Sequence, residues 1–80
     1  MEMIKVKFEL LGIIKSPYGK KFEIEVKKGT TIGDFLTDYL KYKKEIVKFF
    51  VSTVAGKKAR MDTVIKNGDN VVIFHPVAGG

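Results

Sequence analysis

The end of the chain carries the group whose position most clearly suggests chemistry. An apolar run from Val71 to Val77 continues to within three residues of the terminus, and Ala78, Gly79 and Gly80 follow it. A free carboxylate is a poor electrophile, but an acyl-phosphate anhydride of it has a good leaving group. Because glycine has no Cβ, two glycines can pass extended through a narrow opening in another protein's active site. We therefore expect residues 78–80 to be a flexible tail whose reactive group is the carboxylate of Gly80.

Composition excludes several other kinds of chemistry. The chain has 80 residues, no cysteine and one histidine, which rules out disulfides, zinc–thiolate sites and thiol catalysis. No apolar stretch approaches the roughly 18 residues of a membrane-spanning helix, and the N-terminus lacks the apolar core of a signal peptide. We expect a cytoplasmic protein with no bound cofactor or metal, and no side chains are arranged for acid–base catalysis.

The formal net charge is +6, with 15 basic and nine acidic residues. This excess favours either nucleic acid or an acidic protein as a partner. All basic residues except Arg60 are lysines, whereas guanine recognition and base stacking favour arginine. We therefore interpret the lysines mainly as a solvated surface and expect no nucleic-acid partner, while a basic RNA-binding module remains a more remote alternative.

The first half of the chain predicts a β-hairpin followed by a helix. Apolar residues alternate with polar ones from Ile4 to Leu10 and again from Phe22 to Val26, with turn residues at 16–19 between them. The first strand could extend through Ile14, with a bulge at Gly12. Thr31 and Asp34 have the spacing of a capping box. The apolar residues after Thr31 have helical spacing, which predicts one buried stripe: Ile32, Phe35, Leu36, Tyr39 and Leu40.

The second half predicts mainly strands. Residues 46–54 are rich in β-branched and aromatic types, and alternation places Val47, Phe49 and Val51 on one face. Lys48, Phe50 and Ser52 then lie on the other face. Turn residues at 55–58, a short strand at 59–61 and a single turn at 62–65 follow. That turn is expected to place Val64 and Ile65 in the core, before a last strand over residues 70–77.

The order β-β-α-β-(β)-β predicts an α+β fold of the β-grasp, ubiquitin-like type. We expect a mixed sheet of four to five strands, with one main helix packed across one face. The first and last strands should be parallel neighbours at its centre. Residues 1–77 would form this single domain.

Three segments resemble the ThiS/MoaD family of ubiquitin-like sulfur carriers. They are Gly-Thr-Thr-Ile-Gly-Asp-Phe-Leu at 29–36, Asn-Gly-Asp at 67–69 and Val-Ile-Phe-His-Pro-Val-Ala-Gly-Gly at 72–80. The ending is most similar to the small subunit of molybdopterin synthase, which typically closes with Phe-Pro-Pro-Val, a small residue and Gly-Gly. His75 departs from that pattern, because it stands where the first proline is expected.

The resemblance implies that this chain is a carrier and not an enzyme. A ubiquitin-activating-type adenylating enzyme (MoeB/ThiF-like) would use ATP to adenylate Gly80, and sulfur would replace AMP to give a thiocarboxylate. Gly80 would then donate sulfur for molybdopterin, the molybdenum/tungsten cofactor, inside a molybdopterin synthase large subunit (MoaE-like). Residues that would enter or contact these partners are Pro76, Val77, Ala78 and Gly79.

The alternation of the last strand predicts a docking surface. If Val71, Ile73 and Val77 face the helix, Val72 and Phe74 point to the opposite face of the sheet. Phe50 is expected on that face too, so Phe74, Phe50 and Val72 would form an exposed apolar patch that anchors a partner. Lysine stems or loops covering these aromatics are the open alternative.

Other functions stay open for the same tail. A ubiquitin-like modifier would be joined to lysines of other proteins through Gly80, since an amine can attack the adenylate as sulfur does. Thiamine or a tRNA thiouridine could also be the sulfur recipient. His75 could be a proton shuttle near the tail, although a surface or pairing role is more usual for a lone histidine.

Overall fold

The computed structural model describes residues 2–12 and 14–75 as a mixed five-stranded sheet with a helical segment on one face. The strands lie in the order β2-β1-β5-β3-β4, and only the central pair, β1 and β5, is parallel. This confirms the predicted ubiquitin-like β-grasp fold. The strands are β1 (Met3–Leu11), β2 (Lys21–Lys27), β3 (Val51–Val54), β4 (Lys57–Ala59) and β5 (Asn70–Phe74).

The first hairpin forms as its alternation predicts. The apolar residues of β1 from Ile4 to Leu10 are buried, and those of β2 are buried or half-buried. Between the strands, the amide of Gly19 donates to the carbonyl of Ser16 at 3.3 Å, which closes the expected turn. β1 ends at Leu11, and the further extension predicted for it includes Ile13, which lies outside the described residues.

The helical segment begins with the predicted capping box. The Thr31 hydroxyl accepts from the Asp34 amide at 3.0 Å, and the Asp34 carboxylate accepts from the Thr31 amide at 3.3 Å. Helix α1 (Ile32–Asp34) continues directly as a π-helix, Phe35–Tyr39. The predicted apolar stripe is buried, with Tyr39 half-buried, and the Phe35 ring stacks on Phe8 of β1 at 3.9 Å between centroids. The segment is nevertheless shorter than the main helix expected.

The helix start is tied to the segment that precedes β5. The amides of Ile32 and Gly33 donate to the carbonyls of Thr63 and Met61, at 3.1 and 2.8 Å. These amides have no partner inside a helix, so the segment supplies one. A Cβ on Gly33 would lie 3.1 Å from the Met61 carbonyl oxygen. Glycine at this position therefore permits the close approach.

The predicted third strand is wrong over its first half. A short helix, α2 (Lys44–Val47), stands there, and β3 contains only Val51–Val54. Val47 and Phe50 are both buried, and the Phe50 amide donates to the Val47 carbonyl at 3.0 Å. Because residues at i and i+3 lie on the same side of a helical turn, this turn buries both side chains, and that burial outweighs the β-propensity of the segment. Phe49, which lies between them in sequence, is left exposed.

Two further boundaries differ between positions 55 and 65. Ala55 and Gly56 have φ values of 53° and 81°, as a two-residue hairpin turn requires, so β4 starts at Lys57 and not at Ala59. Ile65 is buried as predicted, but Val64 is 48% exposed. Val64 forms an isolated antiparallel bridge with Thr31, and in extended backbone adjacent side chains point to opposite sides.

β5 is observed from Asn70 to Phe74. His75, which the prediction included in the strand, lies beyond its end, and the rest of the predicted continuation at 76–77 and the predicted tail at 78–80 lie outside the described residues. Among the residues that are described, no helix has the length and apolarity needed to cross a membrane.

The corrected position of the two adjacent phenylalanines gives a stability prediction. Phe50→Ala should lower the free energy of unfolding by about 3–5 kcal/mol, because it removes a buried ring. Phe49→Ala, the matched control at a side chain that is 59% exposed, should change it by less than about 0.5 kcal/mol. Urea denaturation of both variants checks this. If Phe49→Ala lowered the free energy of unfolding more than Phe50→Ala, Phe49 would be the buried residue of the pair and the predicted strand would be supported.

Candidate functional site

The site is built around the end of β5, the last described strand before the diglycine sequence. Val71 and Ile73 are fully buried, Val72 is half-buried and Phe74 is 37% exposed. The predicted alternation is therefore confirmed for these four residues. Because β5 pairs with β1 on one side and β3 on the other, its position is fixed by hydrogen bonds on both edges.

Phe74 lies in an apolar cluster on the sheet face that the helix does not cover. Its cross-strand neighbours are Leu11 of β1 and Val51 of β3. Val72 lies on the same face, between Glu9 and Thr53. We call Leu11, Val51, Val72 and Phe74 the outer-face patch. Leu11 is 42% exposed, so the patch presents two large accessible side chains beside the end of β5.

Phe50 does not belong to this patch, and its predicted exposure there is wrong. Its side chain is only 6% exposed. The Phe50 ring meets Tyr42 edge-on at 5.0 Å and His75 edge-on at 4.9 Å between centroids. Phe50 therefore supports the residue that follows β5 and, in this conformation, is not available as a surface anchor.

His75 is packed as an aromatic residue. Its ring is half-buried against Phe50, and its Nδ1 atom is buried without a hydrogen-bond partner among the described residues. The nearby Tyr42 hydroxyl is already engaged, since it accepts from the Lys15 amide at 2.8 Å and donates to the Lys15 carbonyl at 3.3 Å. A small cavity of about 140 Å³ lies here, lined by Ile14, Tyr42, Ile46, Phe50 and His75. These contacts support a packing role for His75 and provide no proton relay.

A larger cavity, about 660 Å³, lies at the other end of β1. It is bordered by Met3, Ile4, Val64 and Ile65, together with the exposed ion pair of Glu2 and Lys28, 3.6 Å apart. Within the described residues, no three histidine or acidic side chains come together as metal ligands. The end of β5 therefore stays the candidate site. Its predicted partner residues Pro76, Val77, Ala78, Gly79 and Gly80 lie outside the described residues.

The sequence matches a protein-family model over most of its length. The model of the ThiS family matches residues 9–80. No curated protein matches the sequence significantly.

Several solved structures share the fold. A putative molybdopterin converting factor subunit 1 from Pyrococcus furiosus is 23% identical, with a TM-score of 0.67 over 92% of this chain and 99% of that one. SAMP1 from Haloferax volcanii is 19% identical, with a TM-score of 0.66 over 95% and 99%.

The molybdopterin-converting factor of Helicobacter pylori, solved as a complex of subunits 1 and 2, also matches. It is 20% identical to this chain, with a TM-score of 0.57 over 96% of this chain and 100% of that one. At these identities the likeness shows the fold, which the chain shares over almost its whole length.

The packing of His75 gives a prediction about stability. His75→Phe keeps the edge contact with Phe50 and removes the buried, unpartnered nitrogen, so the free energy of unfolding should stay equal or rise by about 1 kcal/mol. His75→Ala removes the contact and should lower it by about 1–2 kcal/mol. Urea denaturation distinguishes the two variants. If His75→Phe were the less stable of the two, the imidazole would have to make a polar contact that packing does not explain.

Proposed function

Because this chain belongs to the ThiS family of ubiquitin-like sulfur carriers, we propose that Gly80 carries sulfur as a C-terminal thiocarboxylate. The recipient is a pterin precursor of molybdopterin, and the chain is the small subunit of a molybdopterin synthase. The observation that carries the proposal is the end of β5, where a strand fixed on both edges leads into Pro-Val-Ala-Gly-Gly beside an exposed apolar patch.

The proposed chemistry takes place in partner enzymes. A carboxylate oxygen of Gly80 attacks the α-phosphorus of ATP bound to the adenylating enzyme, and pyrophosphate leaves. A sulfur nucleophile at the oxidation level of sulfide then attacks the carbonyl carbon, and AMP leaves with that oxygen. The product is a thiocarboxylate. This chain supplies the acyl group and a docking surface, and the partner supplies ATP and the catalytic residues.

Two of the structural relatives favour molybdopterin synthesis as the use of the sulfur. One is described as a molybdopterin converting factor subunit 1, and another was solved as subunit 1 in complex with subunit 2. The outer-face patch would serve as the corresponding anchor here, with Phe74 nearest to the tail. An aromatic side chain beside other apolar residues is typical of a residue that dominates binding energy.

A protein modifier is the second candidate, and the likeness to SAMP1, a small archaeal modifier protein, favours it. In that case a lysine amine of a target protein attacks the same acyl adenylate, forms an isopeptide bond to Gly80 and releases AMP. Transfer of sulfur to thiamine or to a tRNA would use the same thiocarboxylate with a different recipient. The activated tail is common to all of these routes.

The mass of the intact chain tests the carrier function. After co-expression with the adenylating enzyme and a sulfur source, the mass should rise by about 16 Da, as oxygen is replaced by sulfur. A variant lacking Gly79 and Gly80 is the matched control and should keep its calculated mass. An unchanged mass for the full chain, under conditions that thiolate a known carrier, would contradict the proposal.

The same cells can be examined for conjugates. There is no lysine or arginine after Lys66, so trypsin would leave the whole segment 67–80 attached to a modified lysine. A search for a diglycine remnant would miss it. Branched peptides that carry segment 67–80, found without any +16 Da species, would favour the modifier over the carrier.

Phe74 gives a prediction about partner recognition. Phe74→Ala should lower kcat/KM for adenylation of this chain at least about tenfold, since it removes an anchor from the centre of the interface. Met3→Ala, at an exposed apolar side chain at the far end of β1, should stay within about twofold. ATP–pyrophosphate exchange measures both rates. Equal effects of the two substitutions would rule out Phe74 as an anchor.

A further inference from the structure

The positive charge of the chain is concentrated in two short segments. Residues 12–20 and 41–50 together contain six lysines and one glutamate, which is +5 of the net +6. The remaining residues are nearly neutral as a group. The two segments are far apart in sequence, so their charge forms a surface feature only if the fold brings them together.

On the hairpin of β1 and β2, opposite charges face each other across the sheet. On the outer face of β1 and β2, Lys5 is opposite Glu25 and Lys7 is opposite Glu23, and Glu9 is opposite Lys21 in the same register. Each such cross-strand pair contributes up to about 1 kcal/mol and leaves no net charge on that part of the face. The segments at 12–20 and 41–50 have no comparable set of carboxylates.

The fold joins these two segments at the end of β5. Tyr42 bonds through its hydroxyl to both backbone groups of Lys15, and its ring rests on Phe50, which contacts His75. On the other side, the Lys20 ammonium donates to the Gly12 carbonyl. A Cβ on Gly12 would lie 3.5 Å from the His75 carbonyl oxygen. Both segments therefore border the point where the chain leaves the sheet.

We call the exposed lysines of these segments the lysine collar: Lys15, Lys20, Lys41, Lys43 and Lys48. Lys44 is left out, because it lies beside Asp34 and Asp62 near the helix start. Segment 41–50 also contains two exposed apolar residues, Ile46 and Phe49. The Lys48 ammonium sits 5.4 Å from the centroid of the Phe49 ring.

We propose that the lysine collar docks on an acidic protein surface, with an apolar recess, at the entrance of the adenylating active site that receives Gly80. The inference rests on the proposed function and names the chemistry of its partner. Exposed apolar side chains next to exposed lysines match the usual anatomy of a protein interface, with an apolar centre and a polar rim. Complementary charge there speeds association more than it tightens the final complex.

RNA is a weaker candidate for the same surface. The collar contains no arginine, the residue that reads guanine bidentately and stacks on bases. Lysine ammoniums act as point charges, which suits long-range attraction of acidic side chains over a Debye length of about 8 Å at physiological salt. A compact set of such charges around the end of β5 would orient the domain as it approaches its partner.

Two variants with equal net charge test the collar. The collar variant is a full-length chain that combines Lys15→Gln, Lys43→Gln and Lys48→Gln. The control variant is a full-length chain that combines Lys57→Gln, Lys58→Gln and Lys66→Gln. ATP–pyrophosphate exchange with the purified adenylating enzyme gives kcat and KM from about 25 to 400 mM NaCl, a range over which the Debye length shortens several-fold. The wild-type kcat/KM should fall steeply with salt. At low salt the collar variant should lose about tenfold in kcat/KM with kcat unchanged, and its salt dependence should flatten.

The control variant should stay within about twofold of the wild type. Equal losses in the two variants would overturn the collar, because net charge alone would then explain the effect. Unchanged exchange by the collar variant, together with lost affinity for fluorescein-labelled poly(U), would assign the lysines to RNA and also overturn it. If the wild type itself were never adenylated, both proposals would fail, whereas wild-type adenylation with indistinguishable variants would remove the collar alone.

Discussion

The parallel pairing of β1 with β5 is the contact on which the rest of the molecule depends. It joins the first and last strands in register from Lys7 opposite Asn70 to Leu11 opposite Phe74. Closing so long a loop costs conformational entropy, and burial of the apolar faces of both strands against the helical segment offsets that cost. Once the pair is formed, the end of β5 has one position relative to the whole domain.

The end of β5 has two sides that differ in their surroundings. The outer side presents Phe74 and Leu11 to solvent, while the inner side packs His75 on Phe50. A carrier whose acyl group is processed by other enzymes needs a surface that those enzymes can recognise independently of the tail. In the proposed function, the end of β5 and the lysine collar would form this surface, which combines shape with charge, so that the domain would be recognised before Gly80 enters an active site.

Sequence reasoning predicted the fold because the local signals agree with the global one. The alternation in β1 and β2 and the capping box at Thr31 are all observed. The strand predicted over residues 46–54 was wrong in its first half. Its β-branched and aromatic residues favour a strand, but burial of Phe50 in the core stabilises a helical turn instead. The prediction that the turn at 62–65 buries Val64 was wrong, because Val64 forms an extended bridge with Thr31 and its side chain points outward.

The lysine collar could not be found from the order of residues alone. Its halves are separated by β2 and the helical segment, and tertiary contacts such as the bond between Lys15 and Tyr42 place them side by side. The signal that the sequence does contain is the net charge of its individual segments, because two of them hold almost all of the excess positive charge. A net charge quoted for the whole chain conceals that asymmetry.

Native-state hydrogen exchange of the β5 amides tests most directly whether a fixed strand end presents the tail. The amides of Val71 to Phe74 that bond to β1 and β3 should exchange only through global unfolding, with the same free energy as the β1 core. Removal of Gly79 and Gly80 should leave that free energy unchanged. Exchange of β5 through a local opening several kcal/mol below global unfolding would contradict the account, because the end of the strand would then not hold a fixed position relative to the rest of the domain.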